Sequence, residues 1–222
     1  MLAALPAALF SSGNFSLWGG YSYSAMTGAD RYLSSLEDNY GPAASRTSTN
    51  NGITFGLDGA YWYYSWWGIG GRISYTYVLP AYAEGMEAGN PVKTEINSSL
   101  CQLQAGVPLL FEFCGGAFSA GGGIYAGLGA ATANRTQTGG LSSLEGSVSE
   151  TRLCFTLEVP VRFTWHISSS FLLDLNAGFR MAEADGTAYA AGFDPDFSGF
   201  TAGLGFNWRF SSHDWPWYEK KW

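Results

Sequence analysis

Residues 201–210, Thr-Ala-Gly-Leu-Gly-Phe-Asn-Trp-Arg-Phe, divide into two unlike sets by parity: Ala202, Leu204, Phe206, Trp208 and Phe210 against Thr201, Gly203, Gly205, Asn207 and Arg209. Successive side chains of a β-strand point to opposite faces. One face of this strand is therefore wholly apolar, and the other carries an arginine. Such a strand belongs in a wall with hydrocarbon on one side and a polar interior on the other.

The same alternation recurs along the chain. Residues 14–25 set Phe15, Leu17, Tyr21 and Tyr23 against Asn14, Ser16, Ser22 and Ser24. Residues 52–64 set Ile53, Phe55, Leu57, Tyr61 and Tyr63 against Thr54, Asp58 and Tyr64, and residues 71–79 set Ile73, Tyr75 and Tyr77 against Arg72, Ser74 and Thr76. In residues 96–111, Leu103, Ala105, Val107, Leu109 and Phe111 oppose Gln102 and Gln104, with Glu112 following on the polar side. Residues 118–134 are glycine-rich, with Phe118, Ile124 and Leu128 outward. Residues 148–165 set Leu153, Phe155, Leu157, Val159, Val161, Phe163 and Trp165 against Thr156, Glu158, Arg162 and Thr164. Residues 170–181 set Phe171, Leu173, Leu175, Ala177 and Phe179 against Asp174, Asn176 and Arg180. With residues 201–210 the count is about eight.

The intervening segments alternate in length. Residues 65–70, 112–117 and 166–169 are short, whereas 26–51, 80–95, 136–146 and 182–198 are long. Short turns on one rim and long loops on the other characterise an up-and-down barrel. The expected fold is thus all-β, an eight-stranded antiparallel up-and-down transmembrane β-barrel. A short helix is expected in the first long loop, where Asp30 is placed to cap a turn or two that carries Leu33 and Leu36 on one face.

Composition fits that architecture. No run approaches the roughly 20 apolar residues of a spanning helix, although 46% of the 222 residues are apolar and 17% aromatic. Thirty glycines with only 13% charged residues suit tight strands and aromatic girdles better than a helical enzyme. If the short turns mark one rim, Trp66, Trp67, Phe111, Phe113, Trp165, Trp208 and Phe210 all gather there, as an interfacial aromatic girdle would. Tyr21, Tyr23, Tyr75, Tyr77 and Phe179 would form the opposite band.

Residues 14–210 resemble the small outer-membrane β-barrels of Gram-negative-type bacteria, the broad group of OmpA-, OmpX- and OmpW-like proteins. Residues 102–111, Gln-Leu-Gln-Ala-Gly-Val-Pro-Leu-Leu-Phe, look like a fourth-strand segment of that group. Thr201, Gly203, Phe206, Trp208 and Phe210 are similar to its terminal assembly signal, although residues 211–222 follow here. The resemblance implies an outer-membrane location with long loops extracellular and termini periplasmic. It also implies outer-membrane lipid and lipopolysaccharide as surroundings, and the barrel assembly machinery as a partner during biogenesis. Residues 1–13 then read as a signal-peptide remnant or a leader. Residues 211–222, with Trp215, Trp217, Tyr218 and Trp222, read as a periplasmic tail that anchors at the interface or docks a protein partner.

The chemistry-bearing residues concentrate inside. By parity Asp58, Glu112, Glu158 and Asp174 face inward with Arg72, Arg162, Arg180 and Arg209, four acids and four bases. An eight-stranded barrel is only wide enough for its own side chains, so these charges are expected to pair. A turn centred near Ser168 would set Arg162 opposite Asp174, and Glu158 diagonal to Arg180. Such a set serves either as a structural plug or as a proton or ion path.

His166-Ile167-Ser168 is similar to the His-x-Ser of outer-membrane lipid A deacylases, but it falls on the short-turn rim without a matched acid, so no catalytic residue is expected. By parity Cys101 faces lipid and Cys154 the lumen, while Cys114 falls in a turn. Three cysteines cannot all pair within the chain, and a structural disulfide is not expected.

The net charge of −7 resides mainly in the long loops, which argues against a nucleic-acid partner. Asp194-Pro195-Asp196 is the best local cation candidate, but no complete oxygen-ligand loop is present, so neither a metal nor a cofactor is expected. The reading that best fits is a non-enzymatic structural or surface-interaction barrel. A narrow conduit for small hydrophobic or ionic solutes and a membrane-embedded lipid hydrolase are the alternatives.

Overall fold

The computed structural model describes residues 12–48, 50–63, 66–140, 146–183 and 189–211. Its strands are β1 (Ser12–Ser24), β2 (Ser45–Arg46), β3 (Asn51–Trp62), β4 (Gly68–Glu87), β5 (Asn90–Phe113), β6 (Phe118–Gly139), β7 (Gly146–His166), β8 (Phe171–Glu183) and β9 (Gly199–Ser211), and one helix, α1, spans Thr27–Asn39. Every pairing is antiparallel. Apart from β2, a two-residue piece on β4, the strands close a ring in the order β1-β3-β4-β5-β6-β7-β8-β9, and β9 pairs with β1 from Ser12↔Ser211 to Ser24↔Gly199. The eight strands expected from alternation are all present. β1 starts at Ser12 and so takes in the last two residues of the expected leader.

One expected loop, residues 80–95, is strand, and the expected loop 136–146 begins only after Gly139. β4 and β5 continue through residues 80–95 to a tight turn in which Glu87 pairs with Asn90, and β6 runs on to Gly139 opposite Val92. The alternation that marks these segments as strands is polar on the outer side, so they read as loops in a search for greasy faces. The wall is consequently uneven, since β4 to β7 are 20–24 residues long while β1, β3, β8 and β9 are 12–13.

Within β4 the register shifts between Val78 and Ala81, so the inward set changes from even (Arg72, Ser74, Thr76, Val78) to odd (Ala81, Ala83). Pro80, which has no N–H to offer the ladder, sits at this bulge, where a proline is tolerated. β2 pairs with β4 above the bulge, through Ser45↔Glu84 and Arg46↔Ala83.

Helix α1 starts four residues earlier than expected, its cap at Met26 rather than Asp30. Met26 lies in the left-handed region and makes no side-chain cap, while Asp30 lies in the first turn. Burial overrides capping preference here: Met26, Ala29 and Leu33 are fully or almost fully buried, with Leu36 packed beside them. The helix stops where Tyr40 N–H bonds Leu36 O, followed by Gly41 at φ +89° and Pro42.

Candidate functional site: a closed lumen beneath an apolar cap

The outer surface is apolar on every wall strand. Phe15, Leu57, Ile73, Leu103, Leu128, Phe155, Leu175 and Leu204 are 38–63% exposed, and Leu153 reaches 74%. A water-soluble monomer does not leave a continuous apolar face of this extent open. On β9 the outward residues run from Phe200 to Phe210. At about 3.3 Å per residue and a strand tilt near 40°, that face is about 25 Å tall, the height of a barrel's lipid-facing band.

Trp66, Phe111, Trp165, Trp208 and Phe210 are exposed at the short-turn end. Trp67 is half-buried, with Tyr63 and Trp66 beside it, and bridges to Leu109. Phe118 stacks with Trp165 and Phe163, and Phe171 packs edge-on against Trp208. On β9, Phe206, Trp208 and Phe210 face outward and Thr201 is buried inward.

Inside, Asp58, Arg72, Glu158, Arg162 and Asp174 form one network. Arg72 grips Asp58 with two hydrogen bonds of 2.8 Å and reaches Glu158 at 2.6 Å. Its guanidinium lies between the rings of Trp18 and Tyr125, 5.1 and 5.0 Å from their centroids. Trp18 Nε1 donates to Asp58 at 3.0 Å, and Gln102 Nε2 donates to Glu158 at 2.9 Å. Arg162 bonds Asp58, donates to Asn176 at 2.9 Å, and lies 3.5 Å from Asp174. Asp174 also accepts from Thr164 at 2.7 Å, Ser16 at 3.1 Å and Asn207 at 3.2 Å. These carboxylates and Arg72 are at most 4% exposed.

The expected contact between Arg162 and Asp174 is present, but the register is displaced by two residues. Arg162 stands directly opposite Asn176, Thr164 opposite Asp174, and Glu158 opposite Arg180. The β7–β8 turn is centred one residue later than expected because Ser168 closes it, accepting the Phe171 N–H at 3.0 Å and, at 3.4 Å, the Ser170 N–H. Arg162 therefore reaches Asp174 diagonally. Glu158, although opposite Arg180, spends its oxygens on Arg72 and Gln102. Glu112 and Arg209 stand apart at the short-turn end, 3.7 Å from each other.

His166 takes a different partner from the one its motif suggests. Its Nε2 is 2.9 Å from Ser119 Oγ, across the β6–β7 ladder, while Ser168 is a turn residue. Below Arg72 a cavity of about 50 Å³ opens among Asn14, Ser119, Thr164, Asn207 and Arg209. It has room for a few waters.

Above the charges the interior changes character. Val78, Ala81 and Ala83 of β4, Val92, Ile96 and Leu100 of β5, and Ala131 and Ala133 of β6 point inward and form an apolar core. Two segments roof it. Helix α1 supplies Ala29 and Leu33, and the segment before β9 supplies Tyr189, Phe193 and Phe197. Tyr32 of the helix stacks on Phe193, and Tyr40 Oη bonds Thr94 Oγ1 at 2.7 Å. Burial pushes the Tyr40 phenol above its usual range. Arg180 joins the two layers, donating to the Phe197 carbonyl at 3.1 Å and to Thr76 at 2.7 Å.

Parity alone did not reveal Trp18, Tyr125 or the roof. The first two have a readable signal: Trp18 stands between Gly56 and Gly205 in its two ladders, and Tyr125 stands opposite Gly106. A Cβ on Gly56 would lie 2.8 Å from the Trp18 ring, and one on Gly106 would lie 2.7 Å from Tyr125. A large inward aromatic needs glycine across from it. The roof has no period to read.

The expected cation candidate is committed locally: Asp196 accepts the Ser198 N–H at 2.8 Å. Among the described residues no three His, Cys, Asp or Glu side chains gather as a metal site would require. Cys101 is exposed, Cys114 lies exposed in the turn Cys114–Gly116, and Cys154 is buried. Trp215, Trp217, Tyr218 and Trp222, and most of the leader, lie outside the described residues.

No protein-family model matches the chain, and no curated protein does. Among solved structures it is similar to the attachment invasion locus protein Ail of Yersinia pestis, crystallised with the heparin analogue sucrose octasulfate, at 18% identity and TM-score 0.43 over 89% of this chain and 99% of that one. It is also similar to OprG of Pseudomonas aeruginosa, at 15% identity and TM-score 0.47 over 92% and 99%, and to Neisserial surface protein A, at 10% and 0.45 over 90% and 97%. On its own pairing and burial, with eight strands closed in a ring, apolar side chains outward and paired charges within, the chain has the fold of a small outer-membrane-type β-barrel.

Proposed function

We propose that the protein is a non-enzymatic barrel of the outer membrane whose lumen is sealed by its own charge network and whose contacts are made by the tall, capped end. One observation carries this reading: Arg72 is held by both Asp58 and Glu158, and Arg180 ties that layer to the roof through the Phe197 carbonyl. An ion crossing the lumen would have to displace buried ion pairs and then an apolar core. The paired charges act as a plug. In this reading the long-loop end faces outward and the termini face the periplasm, with β9 presenting the strand read by the assembly machinery. The residue 211–222 tail anchors at the inner rim or docks a partner in the envelope.

Planar-bilayer recording with purified protein tests the seal. The expected trace shows no unitary conductance in molar salt. Reproducible channel steps, or swelling of liposomes in small sugars, would favour the conduit.

A further inference from the structure

We propose that the cavity below Arg72 is a binding site for one small phosphate-class oxyanion, which enters from the short-turn end. Two small inward residues make the hole. Ala60 follows Asp58 on the inner side of β3, Gly121 follows Ser119 on that of β6, and both line the cavity of about 50 Å³. Gly121 can carry nothing larger, since a Cβ there would lie 2.4 Å from the Leu109 carbonyl oxygen. Arg162 stands directly across the ladder from Gly121, and Arg209 shares a cross-strand row with Asn14 and Ala60. Two guanidiniums therefore flank the space that the small residues leave, and Arg72 closes it from above. Water reaches this level, because the side chains of Arg162 and Glu112 are each 18% exposed. A space with room for a few waters also takes a single tetrahedral oxyanion.

The lining is rich in donors. Its described residues include three arginines, Arg72, Arg162 and Arg209, against one carboxylate, Asp58. Asp58 turns both oxygens into the wall, where Trp18, Arg72 and Arg162 hold them. The amide oxygens are engaged as well, with Asn14 Oδ1 accepting from Trp62 Nε1 at 2.9 Å and Asn207 Oδ1 from Asn14 Nδ2 at 3.2 Å. Asn14 and Asn207 each give one amide hydrogen, to Asn207 and Asp174, and each keeps a second. Arg162 has N–H groups beyond those that meet Asn176, Asp58 and Asp174. Arg209 Nη2 lies 3.7 Å from Glu112, close enough for attraction but outside hydrogen-bond range, and Glu112 does not line the cavity. An amine or metal cation would meet positive charge here. An oxyanion, which only accepts, matches both the charge and the donors, and a doubly charged phosphate suits three arginines set against one carboxylate. The bound ion stops beneath Arg72, so the seal above it is unaffected.

The test is titration of the full chain in alkyl-maltoside micelles with inorganic phosphate, against chloride at equal ionic strength. NMR signals of the Arg162 and Arg209 Nε–H groups and of the Asn14 and Asn207 side-chain amides report the site. Saturable shifts are expected with phosphate and not with chloride. Arg209→Gln, which leaves the bonds among Asp58, Arg72 and Glu158 in place, is expected to weaken binding about tenfold or more. Ala60→Leu, which fills the hole without removing a charge, is expected to abolish it; both variants are read on protein that keeps its folded electrophoretic mobility. Glycerol 3-phosphate separates the sources, since binding as tight as that of phosphate assigns the site to a phosphomonoester end, and its exclusion assigns the site to the free ion. Shifts that match those with chloride, binding unaltered in either variant, or no shifts would overturn the proposal. So would phosphate binding that appears only after Asp214→Asn and Glu219→Gln, because the chain's own tail would then be the occupant.

Discussion

Replacing Arg72 with Met removes the cation shared by two buried carboxylates, and its cost can be worked from what each carboxylate keeps. Asp58 retains Arg162 and the Trp18 indole. Glu158 retains one direct partner, the neutral Gln102 amide, with Arg180 opposite it across the ladder but bonded elsewhere, to Thr76 and the Phe197 carbonyl. One stranded buried charge costs about 3–5 kcal/mol, so the loss is expected near 4 kcal/mol, most of it at Glu158. That is roughly a thousandfold in the folding equilibrium. Equilibrium unfolding in urea from phosphocholine vesicles, followed by tryptophan fluorescence, measures it. If stranding is the cause, adding Glu158→Gln to Arg72→Met should restore about 1–3 kcal/mol, the usual size of coupling between groups in one network. A loss below about 1 kcal/mol for Arg72→Met, or a double variant less stable than the single, would refute the reasoning.

Three further outcomes are expected. Phe197→Ala should cost about 3–5 kcal/mol of packing in the roof and should make residues 27–48 and 189–198 protease-sensitive while the barrel keeps its folded electrophoretic mobility; unchanged proteolysis would show that the roof is not held by this side chain. The Tyr40 phenol has a raised pKa in the folded protein, so its contribution is present below the unfolded value near 10 and is lost as pH climbs through the folded value; hydrogen exchange of the α1 amides should accelerate in that alkaline window, and Tyr40→Phe should abolish the acceleration. In bilayers Cys101 should react with a lipid-soluble maleimide and resist a charged one, whereas Cys154 should resist both until the barrel is unfolded; modification of Cys154 in the folded state would contradict its inward placement.

Parity carried most of the fold because the two sides of this wall meet opposite solvents. Wherever a strand separates hydrocarbon from polar interior, as at Phe155–Thr156–Leu157–Glu158, each residue declares its side. The signal fails in three places for physical reasons. Above the membrane the outer face is polar and the inner face apolar, as at Thr132 and Ala131, so the contrast inverts and residues 80–95 read as loop. At Pro80 the bulge resets the phase. In α1, burial of Met26 against the barrel interior outweighs the carboxylate at Asp30 that would otherwise mark the start. The network's members follow from parity, but their partners depend on the β7–β8 register, which one serine in the turn shifted by two residues.

The seam between β1 and β9 differs from the other wall pairings, because it alone joins strands from opposite ends of the sequence, Ser12 meeting Ser211. Every other neighbour in the ring follows directly along the chain and can zip up as a local hairpin. Closure entropy therefore falls almost entirely on one late event. A chain released before its ninth strand would hold seven finished wall strands with two raw borders, and any catalyst of insertion has only that single gap to guard.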